Sequence, residues 1–162
     1  MGGSCISVNE QLLHYVEEFG LYYEQFGLPR TAGRVLGWLL VCDPPRQTMN
    51  ELVEVLQVSK SSISSASRVL IQTGLADRIS LPGKRRDYYR INEDAWIRGW
   101  ELQIQQAPQM RQMAERGLAL LDSESDIRKK RLVEMHELYT FMEVESPKLL
   151  NRYRALRQQK NE

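Results

Sequence analysis

The stretch that decides the fold is TMNELVEVLQVSKSSISSASRVLIQTGLADRISLPGKRRDYYRI, residues 48–91. Thr48 is followed three residues later by Glu51, the spacing of a capping box, in which each side chain bonds the other residue's free backbone N–H at a helix start. Residues 57–59 are too few for anything but a turn, and Ser59 can cap a second helix that begins near Lys60. The Thr-Gly pair at 73–74 ends that helix, because glycine readily takes the left-handed conformation found after helix C-termini.

The remainder of the stretch predicts a two-stranded hairpin with a basic tip. Residues 75–81 and 87–91 resemble strands, and the turn signal Pro-Gly lies between them, followed by Lys84, Arg85 and Arg86. Two short helices joined by a tight turn and followed by such a hairpin indicate a winged helix-turn-helix. The three cations of the tip would lie against phosphates or in a minor groove.

The second helix of this motif is rich in serine, which occupies six positions between 59 and 67 although it is a poorer helix former than Ala, Leu or Glu. A flexible serine-rich linker is the alternative, but apolar residues recur at helical spacing and give a stripe that a linker lacks, namely Ile63, Ala66, Val69 and Leu70. The opposite face carries small hydroxyl side chains, which allow close approach to phosphates and base edges. The candidate DNA-binding residues of this helix are Ser59, Lys60, Ser61, Ser62, Ser64, Ser65 and Arg68.

Charge is distributed unevenly along the chain, whose formal net charge is only +1 at pH 7. Residues 1–58 contain three Lys or Arg and seven Asp or Glu, a balance of −4, whereas residues 59–90 contain seven and two, a balance of +5. Residues 91–162 contain twelve of each. Positive charge is therefore concentrated on the predicted second helix and hairpin, and a polyanion meets local rather than net charge.

Two helices are predicted before the motif. Residues 8–26 carry apolar and aromatic side chains at helical spacing, and Thr31 can cap a second helix that runs to about Cys42. Gly33 and Gly37 lie inside this second helix, and each weakens it by up to about 1 kcal/mol relative to alanine. The compensation that we expect is the close approach of another helix at that face.

Two long helices are predicted after the hairpin. Asn92 can cap the first, with two acidic residues in its first turn, and Pro108 should kink or divide it. The second begins near Glu124 and carries a heptad seam, in which Ser146-Pro147 is typical of a restarted helix and predicts a bend. The seam residues are Leu132, Met135, Tyr139, Met142, Ser146, Leu149, Tyr153 and Leu156. Long amphipathic helices at both ends of the chain cannot all bury their faces against a small DNA-binding core, so a partner chain is expected to cover them.

The segment 26–96 resembles the MarR superfamily of bacterial and archaeal regulators. The resemblance is carried by GLPRTAGRVLGWLL at residues 27–40, SKSSISSASRVL at residues 59–70 and PGKRRDYYRINEDAW at residues 82–96. More narrowly, the segment is similar to the glycine-betaine-synthesis-repressor (GbsR-like) branch. The resemblance implies binding of double-stranded DNA and a homodimer, because the partner chain of such regulators is a second copy.

The same resemblance implies further contacts. Arg30 and Arg34 would touch phosphates, although a solvated helix edge is the alternative. A small-molecule effector would bind between the DNA-binding lobe and the dimer helices, and an aromatic cage there would suit a quaternary ammonium such as choline through cation–π attraction. The candidate effector-binding residues are Tyr22, Trp38, Trp96 and Trp100; most aromatic residues are otherwise expected in the core or dimer interface.

Cys42 has two interpretations. Some MarR-like regulators sense oxidants through a cysteine, but Cys42 ends an apolar run, and a buried cysteine behaves as a small hydrophobic residue. Cys5 and Cys42 do not make a disulfide framework.

Other classes of function lack support in the sequence. His14 and His136 are far apart and belong to no metal-ligand spacing, and no phosphate loop or nucleophile elbow occurs, so we expect no catalytic residues, metal or cofactor. The N-terminal residues lack the charged and apolar regions of a signal peptide, and no membrane span is present, which predicts a cytoplasmic protein.

The sequence thus predicts a mainly α protein of the α+β kind. Residues 1–45 would form N-terminal dimerisation and support helices, 46–91 the winged helix-turn-helix DNA-binding domain, and 92–162 the C-terminal dimerisation helices. The predicted function is that of a sequence-specific DNA-binding transcriptional regulator, as an effector-responsive homodimeric repressor. A winged-helix protein-interaction module in a transcription-related assembly is the alternative, and the basic segment 59–90 argues against it.

Overall fold

The computed structural model describes residues 10–161, and within them the chain forms two compact units that divide between Ala95 and Trp96. The predicted helix start at Val8, and Cys5, lie outside the described residues. The elements are α1 (Glu10–Glu24), α2 (Arg30–Val41), β1 (Gln47–Thr48), α3 (Met49–Leu56), α4 (Lys60–Gln72), β2 (Ala76–Ser80), β3 (Asp87–Ile91), α5 (Ala95–Leu120) and α6 (Asp126–Asn161). The prediction of a mainly helical winged helix-turn-helix is confirmed.

The first unit is built on the crossing of α1 and α2. A Cβ atom added to Gly33 would lie 2.6 Å from the carbonyl oxygen of Phe19, and one added to Gly37 would lie 2.8 Å from the Cβ of Phe19. Both distances are too short for real atoms, so only glycine lets the helix backbones approach so closely. The predicted close approach of another helix at these glycines is confirmed.

One hydrophobic core joins α1 and α2 to the winged helix. Its fully buried large side chains are Val16, Val35, Leu36, Leu52, Leu56, Ile63 and Leu70, which come from α1, α2, α3 and α4. Helix α4 packs against both α2 and α3, and the cap of α3 is the predicted box, in which the N–H of Glu51 donates to the Thr48 hydroxyl at 3.3 Å. The N-terminal helices therefore share one core with the winged helix.

The sheet has three strands in the order β1-β3-β2, all antiparallel. The hairpin of β2 and β3 was predicted, with β2 one residue shorter at each end than residues 75–81. Strand β1 was not predicted, because two residues cannot show an alternating pattern. It is formed by pairing across the chain, Gln47 opposite Tyr89 and Thr48 opposite Tyr88.

The predicted end of α1 and the predicted start of α2 are wrong. Helix α1 ends at Glu24, two residues before Phe26, where the chain enters a turn. Helix α2 begins at Arg30 with Pro29 as its N-cap, so Thr31 does not cap it; the N–H of Ala32 already bonds the carbonyl of Pro29 at 2.8 Å.

Asn92 does not cap α5 either, because α5 begins at Ala95. The Asn92 side chain instead accepts the N–H of Asp94 at 2.9 Å in a turn that precedes the helix, and its amide donates to Asp77 at 2.8 Å. A side chain that serves a tertiary contact as well as a local turn could not be recognised as such from local sequence.

The second unit consists of α5 and α6, which run through Pro108 and Pro147 as continuous helices of 26 and 36 residues. Proline removes one backbone donor, and a long helix can keep its remaining bonds. Pro108 therefore does not divide α5, and no new helix starts at Pro147. The kink at Pro108 and the bend at Pro147 stay predictions. Helix α6 also begins two residues later than predicted, at Asp126.

The contacts between α5 and α6 pair the start of one with the end of the other. Leu132 fills the space beside Gly117, the Trp100 and Tyr153 rings lie 6.5 Å apart, and Arg154 pairs with Glu101. The two helices are thus antiparallel. The first five residues of the predicted seam are half-buried, but Leu149, Tyr153 and Leu156 are about half exposed, and Leu150 is buried in their place.

A charged cluster lies at the middle of this pair of helices. Nε of Arg111 donates to Glu143 at 2.6 Å, and Nε2 of His136 lies 3.2 Å from Oε1 of Glu115. The hydrogen bond with His136, followed by that with Arg111, holds the pKa of Glu115 below its ordinary value.

Among residues 10–161 no helix is both long enough and apolar enough to cross a membrane.

Gly33→Ala should destabilise the first unit by about 1–3 kcal/mol, because the new methyl group meets backbone atoms that cannot move aside. Gly99→Ala is the matched control, since Gly99 is also helical and a Cβ there meets nothing within 4 Å. The control should be neutral or stabilise by up to about 1 kcal/mol. Urea unfolding followed by circular dichroism measures both, and equal stabilities for the two variants would contradict the close crossing.

Candidate nucleic-acid interface

Helix α4 presents a polar face outward because its apolar face is buried in the core. Ile63 and Leu70 are fully buried and Ala66 nearly so, and the helical repeat places Lys60, Ser61, Ser65 and Arg68 on the exposed side. Ser62 and Ser64 are half-buried beside that face. The side chains on the exposed face are short hydroxyls and two cations, so a ligand can approach the helix closely.

The first turn of α4 is organised by Ser59. Its hydroxyl accepts the N–H of Ser62 at 3.1 Å, which is the predicted N-cap, and lies 2.9 Å from the Ser61 hydroxyl and 2.8 Å from that of Ser62. These three serines therefore support the helix start with hydrogen bonds of their own. Ser67 is the buried serine of α4, and its hydroxyl has no hydrogen-bond partner within the described chain.

The stem of the hairpin neutralises its own charge. Asp87 accepts a hydrogen bond from Ser80 at 2.7 Å and pairs with Arg78 at 3.1 Å. Asp77 lies opposite Arg90 in the sheet register, with an oxygen 3.8 Å from the Arg90 guanidinium. Both acidic residues of segment 59–90 are therefore bound to arginines of the stem.

The cations of the tip and of α4 lack such partners. Lys84, Arg85 and Arg86 follow Gly83, whose φ of 73° shapes the turn, and all three are exposed. Together with Lys60 and Arg68 they form no ion pair within 4.0 Å among residues 10–161. Of the seven cations in segment 59–90, two are neutralised in the stem and five remain on the surface. We call these five the free cations of the winged helix.

A notch of about 270 Å³ connects α4 to the wing. Lys60 at the start of α4 and Arg86 at the wing line it together with Thr48 and Asn50 at the start of α3. Cations of the helix start and of the wing tip thus line the same notch, together with Asp87. Asn50 was missed in the sequence, where the only available signal was a polar residue in the first turn of the preceding helix.

A second groove lies on the other side of α4, lined by Pro29, Thr31, Ser61, Ser62, Ser65, Ala66 and Val69. Arg30 stands beside it in sequence, half exposed and 3.1 Å from Glu17. Arg34 is mostly buried, with Nε 2.6 Å from Glu17 and Nη2 donating to the carbonyl of Leu56 at 2.8 Å. Arg34 therefore connects α1, α2 and α3, while Arg30 keeps an exposed edge near α4.

The aromatic residues expected to bind an effector have unlike environments. Trp38 is a core residue, 5% exposed, and its indole N–H donates to Gln47 at 3.4 Å. Tyr22, in the first unit, and Trp96, in the second, are more than half exposed. Trp100 is half-buried against Tyr153.

Cys42 is buried, with its thiol directed toward the carbonyl of Leu39 at 3.7 Å. Burial raises the pKa of this thiol to about 11. The environment matches that of an unreactive core residue.

Among residues 10–161, no three His, Cys, Asp or Glu side chains are grouped so that they could hold a metal ion.

Comparisons with known proteins agree with this geometry. Residues 26–87 match the model of the MarR family, and residues 94–157 match the model described as MmpR5-like MarR family transcriptional regulator. The HTH-type transcriptional regulator MmpR5 of Mycobacterium tuberculosis (strain ATCC 25618 / H37Rv) is 39% identical over 152 residues, which cover 94% of this chain and 92% of that protein.

Two further relatives are informative. The HTH-type transcriptional repressor OpcR of Bacillus subtilis (strain 168) is 33% identical over 81 residues, 50% of this chain and 43% of that protein. A crystal structure of a transcriptional regulator superposes with a TM-score of 0.77 at 39% identity, covering 90% of this chain and 99% of that one.

The Cys42 thiol should resist alkylation in the folded protein. With a pKa of about 11, only about one thiol in a thousand is ionised at pH 8, against about one in ten at the ordinary value of 9.0. Iodoacetamide labelling of a Cys5→Ser variant at pH 8 should therefore be at least about a hundredfold slower in buffer than in urea. Equal rates would show that Cys42 is accessible and ionised, and would revive oxidant sensing.

Proposed function

We propose that this chain, which belongs to the MarR family of transcriptional regulators, is a sequence-specific DNA-binding repressor that acts as a homodimer. The observation that carries the proposal is the set of free cations of the winged helix. A duplex presents closely spaced phosphates, and exposed cations without acidic partners gain free energy there by releasing counterions. Stem cations already paired with Asp77 and Asp87 gain less, because their charge is neutralised.

In this proposal the two elements of the surface have different tasks. Helix α4 enters the major groove, where Ser64, Ser65 and Arg68 reach base edges or flanking phosphates. The first-turn residues Ser59, Ser61 and Ser62 preserve the helix start and offer hydroxyls to the backbone. The wing tip follows the adjacent phosphates or minor groove. Arg30 stands where it can reach a phosphate, whereas Arg34 acts by joining Glu17 of α1 to the Leu56 carbonyl of α3.

A homodimer would place two α4 helices in successive major grooves, so that the operator repeats the two-fold symmetry of the protein as a palindrome. The dimer is supported by the large apolar side chains that α6 leaves exposed, Leu138, Phe141, Leu149 and Leu156 among them. Repression is supported by the similarity to OpcR, which is a transcriptional repressor.

We further propose that a small-molecule effector regulates DNA binding by the dimer. An effector regulates only by binding two arrangements of the dimer with different affinity, which would change the separation of the two α4 helices. Tyr22 and Trp96 are each exposed and so available to a ligand, whereas Trp38 is buried in the core. We also propose that the segment 26–96 is of the GbsR-like kind.

The experiment that tests the function is selection of bound fragments from the source genome, followed by affinity measurements on the selected operator and on random DNA. Arg85→Ala should weaken binding to both DNAs and should lower the steepness of the salt dependence, in a log–log plot, by about 1 for each subunit. Arg78→Ala is the matched control, because it removes an arginine of the same hairpin that is already paired with Asp87. A smaller effect of Arg85→Ala than of Arg78→Ala would contradict the role of the tip.

Substitutions in α4 should change specificity instead. Ser65→Ala and Arg68→Ala should each cost about 1–3 kcal/mol on the operator wherever the side chain touches a base edge, and little on random DNA. Ser67→Ala is the control, since this buried serine of the same helix faces the core. Wild-type operator affinity in all variants of α4 and the tip, with the fold intact by circular dichroism, would favour the protein-interaction module.

A further inference from the structure

The notch beside the first turn of α4 contains polar groups that have no partner in the chain. Its lining residues are Thr48, Met49, Asn50, Lys60, Arg86, Asp87 and Tyr89. They come from the starts of α3 and α4, from the wing tip and from β3. Lys60 and Arg86 form no ion pair within 4.0 Å among residues 10–161. Two unpaired cations that separate elements bring to one concave site would hold an anion there.

Tyr89 is a buried member of this lining. It is 7% exposed and belongs to the hydrophobic core, yet its hydroxyl has no hydrogen-bond partner among the described residues. A buried tyrosine hydroxyl usually finds a partner, because it has given up its bond to water. Since Tyr89 lines the notch, a group bound in the notch would be within reach of this hydroxyl.

The two polar side chains at the start of α3 differ in the same respect. The Thr48 hydroxyl is used within the helix cap, where it lies 2.8 Å from the carboxylate of Glu51. The Asn50 side chain is exposed, and its amide forms no hydrogen bond within the part of the chain that the structure describes. Asn50 therefore offers the notch a second neutral donor.

Asp87 is the acidic residue of the lining, and its charge is already neutralised. One carboxylate oxygen accepts the Ser80 hydroxyl at 2.7 Å, and the other lies 3.1 Å from the Arg78 guanidinium. The remaining charged residues of the lining are the cations Lys60 and Arg86. The notch is therefore suited to a negatively charged group in spite of Asp87.

The notch lies on one flank of the exposed face of α4. Each residue turns an α-helix by about 100°, so Val69, nine residues after Lys60, lies on the opposite side. Val69 belongs to the other groove, whose lining residues are all uncharged. A helix with its side chains nearly fills a major groove roughly 12 Å wide, so the two flanks of α4 would meet different DNA strands. The strand on the notch flank is the one that would meet cations.

We infer that the notch binds one backbone phosphate of this strand. Lys60 and Arg86 neutralise the charge of the phosphate, and the Asn50 amide and the Tyr89 hydroxyl donate to its oxygens. The inference rests on the DNA binding proposed above. It adds two contact residues, Asn50 and Tyr89, and it gives two of the free cations a shared partner.

Tyr89→Phe tests the hydroxyl, because it removes one oxygen and keeps the buried ring. The hydroxyl makes no bond in the free protein, so urea unfolding should show the same or a slightly higher stability. Affinity for the selected operator should fall at least about tenfold, as expected for the loss of a hydrogen bond to a charged group. Random DNA should be affected equally, since a phosphate contact reads no sequence.

Tyr88→Phe is the matched control for this variant. Tyr88 is the neighbouring residue of β3, points to the other face of the sheet and lies under Arg46, at 5.9 Å from ring centre to guanidinium. It does not line the notch. The control should therefore keep operator affinity within about twofold of the wild type.

Asn50→Asp exchanges the neutral donor for a carboxylate. An acidic residue in the first turn stabilises a helix, so the stability of the protein should be kept or should rise. Operator affinity should nevertheless fall at least about tenfold, because the new charge would lie against the phosphate. A purely structural role of Asn50 would not separate the two measurements in this way.

The phosphate itself is located by replacing single operator phosphates with neutral methylphosphonates, at equivalent positions of both half-sites. At one position the loss of affinity seen with the wild-type protein should vanish in K60A/R86A and shrink in Tyr89→Phe. The loss at the same position should persist in Arg85→Ala, whose side chain lies outside the notch. Groups that share one partner give such non-additive effects.

Wild-type operator affinity in Tyr89→Phe and Asn50→Asp would overturn the phosphate site, while the proposed DNA binding would stand. Effects of Lys60 and Arg86 that map to different phosphates would also overturn the site alone. A wild-type chain that is folded by circular dichroism and selects no DNA would overturn both the site and the proposed function.

Discussion

The interface depends on one buried stripe, that of α4 on the core formed by α2 and α3. Because Ile63, Ala66 and Leu70 are buried there, the 3.6-residue repeat leaves Ser65 and Arg68 no place except the surface. Helix α2 is itself positioned by its crossing with α1, which requires the absence of side chains at two glycines. The outward polar face of α4 is thus a consequence of the α1–α2 crossing, which positions the core on which α4 packs.

Ion pairs within the hairpin decide which cations of this surface stay unpaired. The register of the hairpin sets Asp77 opposite Arg90, and Asp87 pairs with Arg78, so both acidic residues of the hairpin are bound to arginines. A shift of one residue in register would turn these side chains to the other face of the sheet. The tip then keeps its full charge, and Arg86 of the tip shares a notch with Lys60 in the first turn of α4.

The second unit uses the two sides of α6 differently. Inner charges such as Glu143 and Arg154 are bound to α5 and hold the helix pair together, while the opposite side of α6 leaves Leu138, Phe141, Leu149 and Leu156 exposed. Residues 91–162 have an even balance of charge overall. Within α6, however, residues 132–145 contain four Glu and no Lys or Arg, whereas residues 146–160 contain five Lys or Arg and no Asp or Glu.

What the sequence determined by itself is local. The Thr48–Glu51 box, the Ser59 cap, the end of α4 at Thr-Gly and the bounds of β3 depend on residues at most a few positions apart, and all were predictable. The close helix crossing was predictable too, because glycine inside a helix needs a compensating contact. Tertiary structure decided other features: strand β1 exists only through its pairing with residues some forty positions away. It also decided that Arg78 is paired while Arg85 is free, and that Trp38 lies in the core. In each case the deciding partner is distant in sequence, so no local pattern contains it.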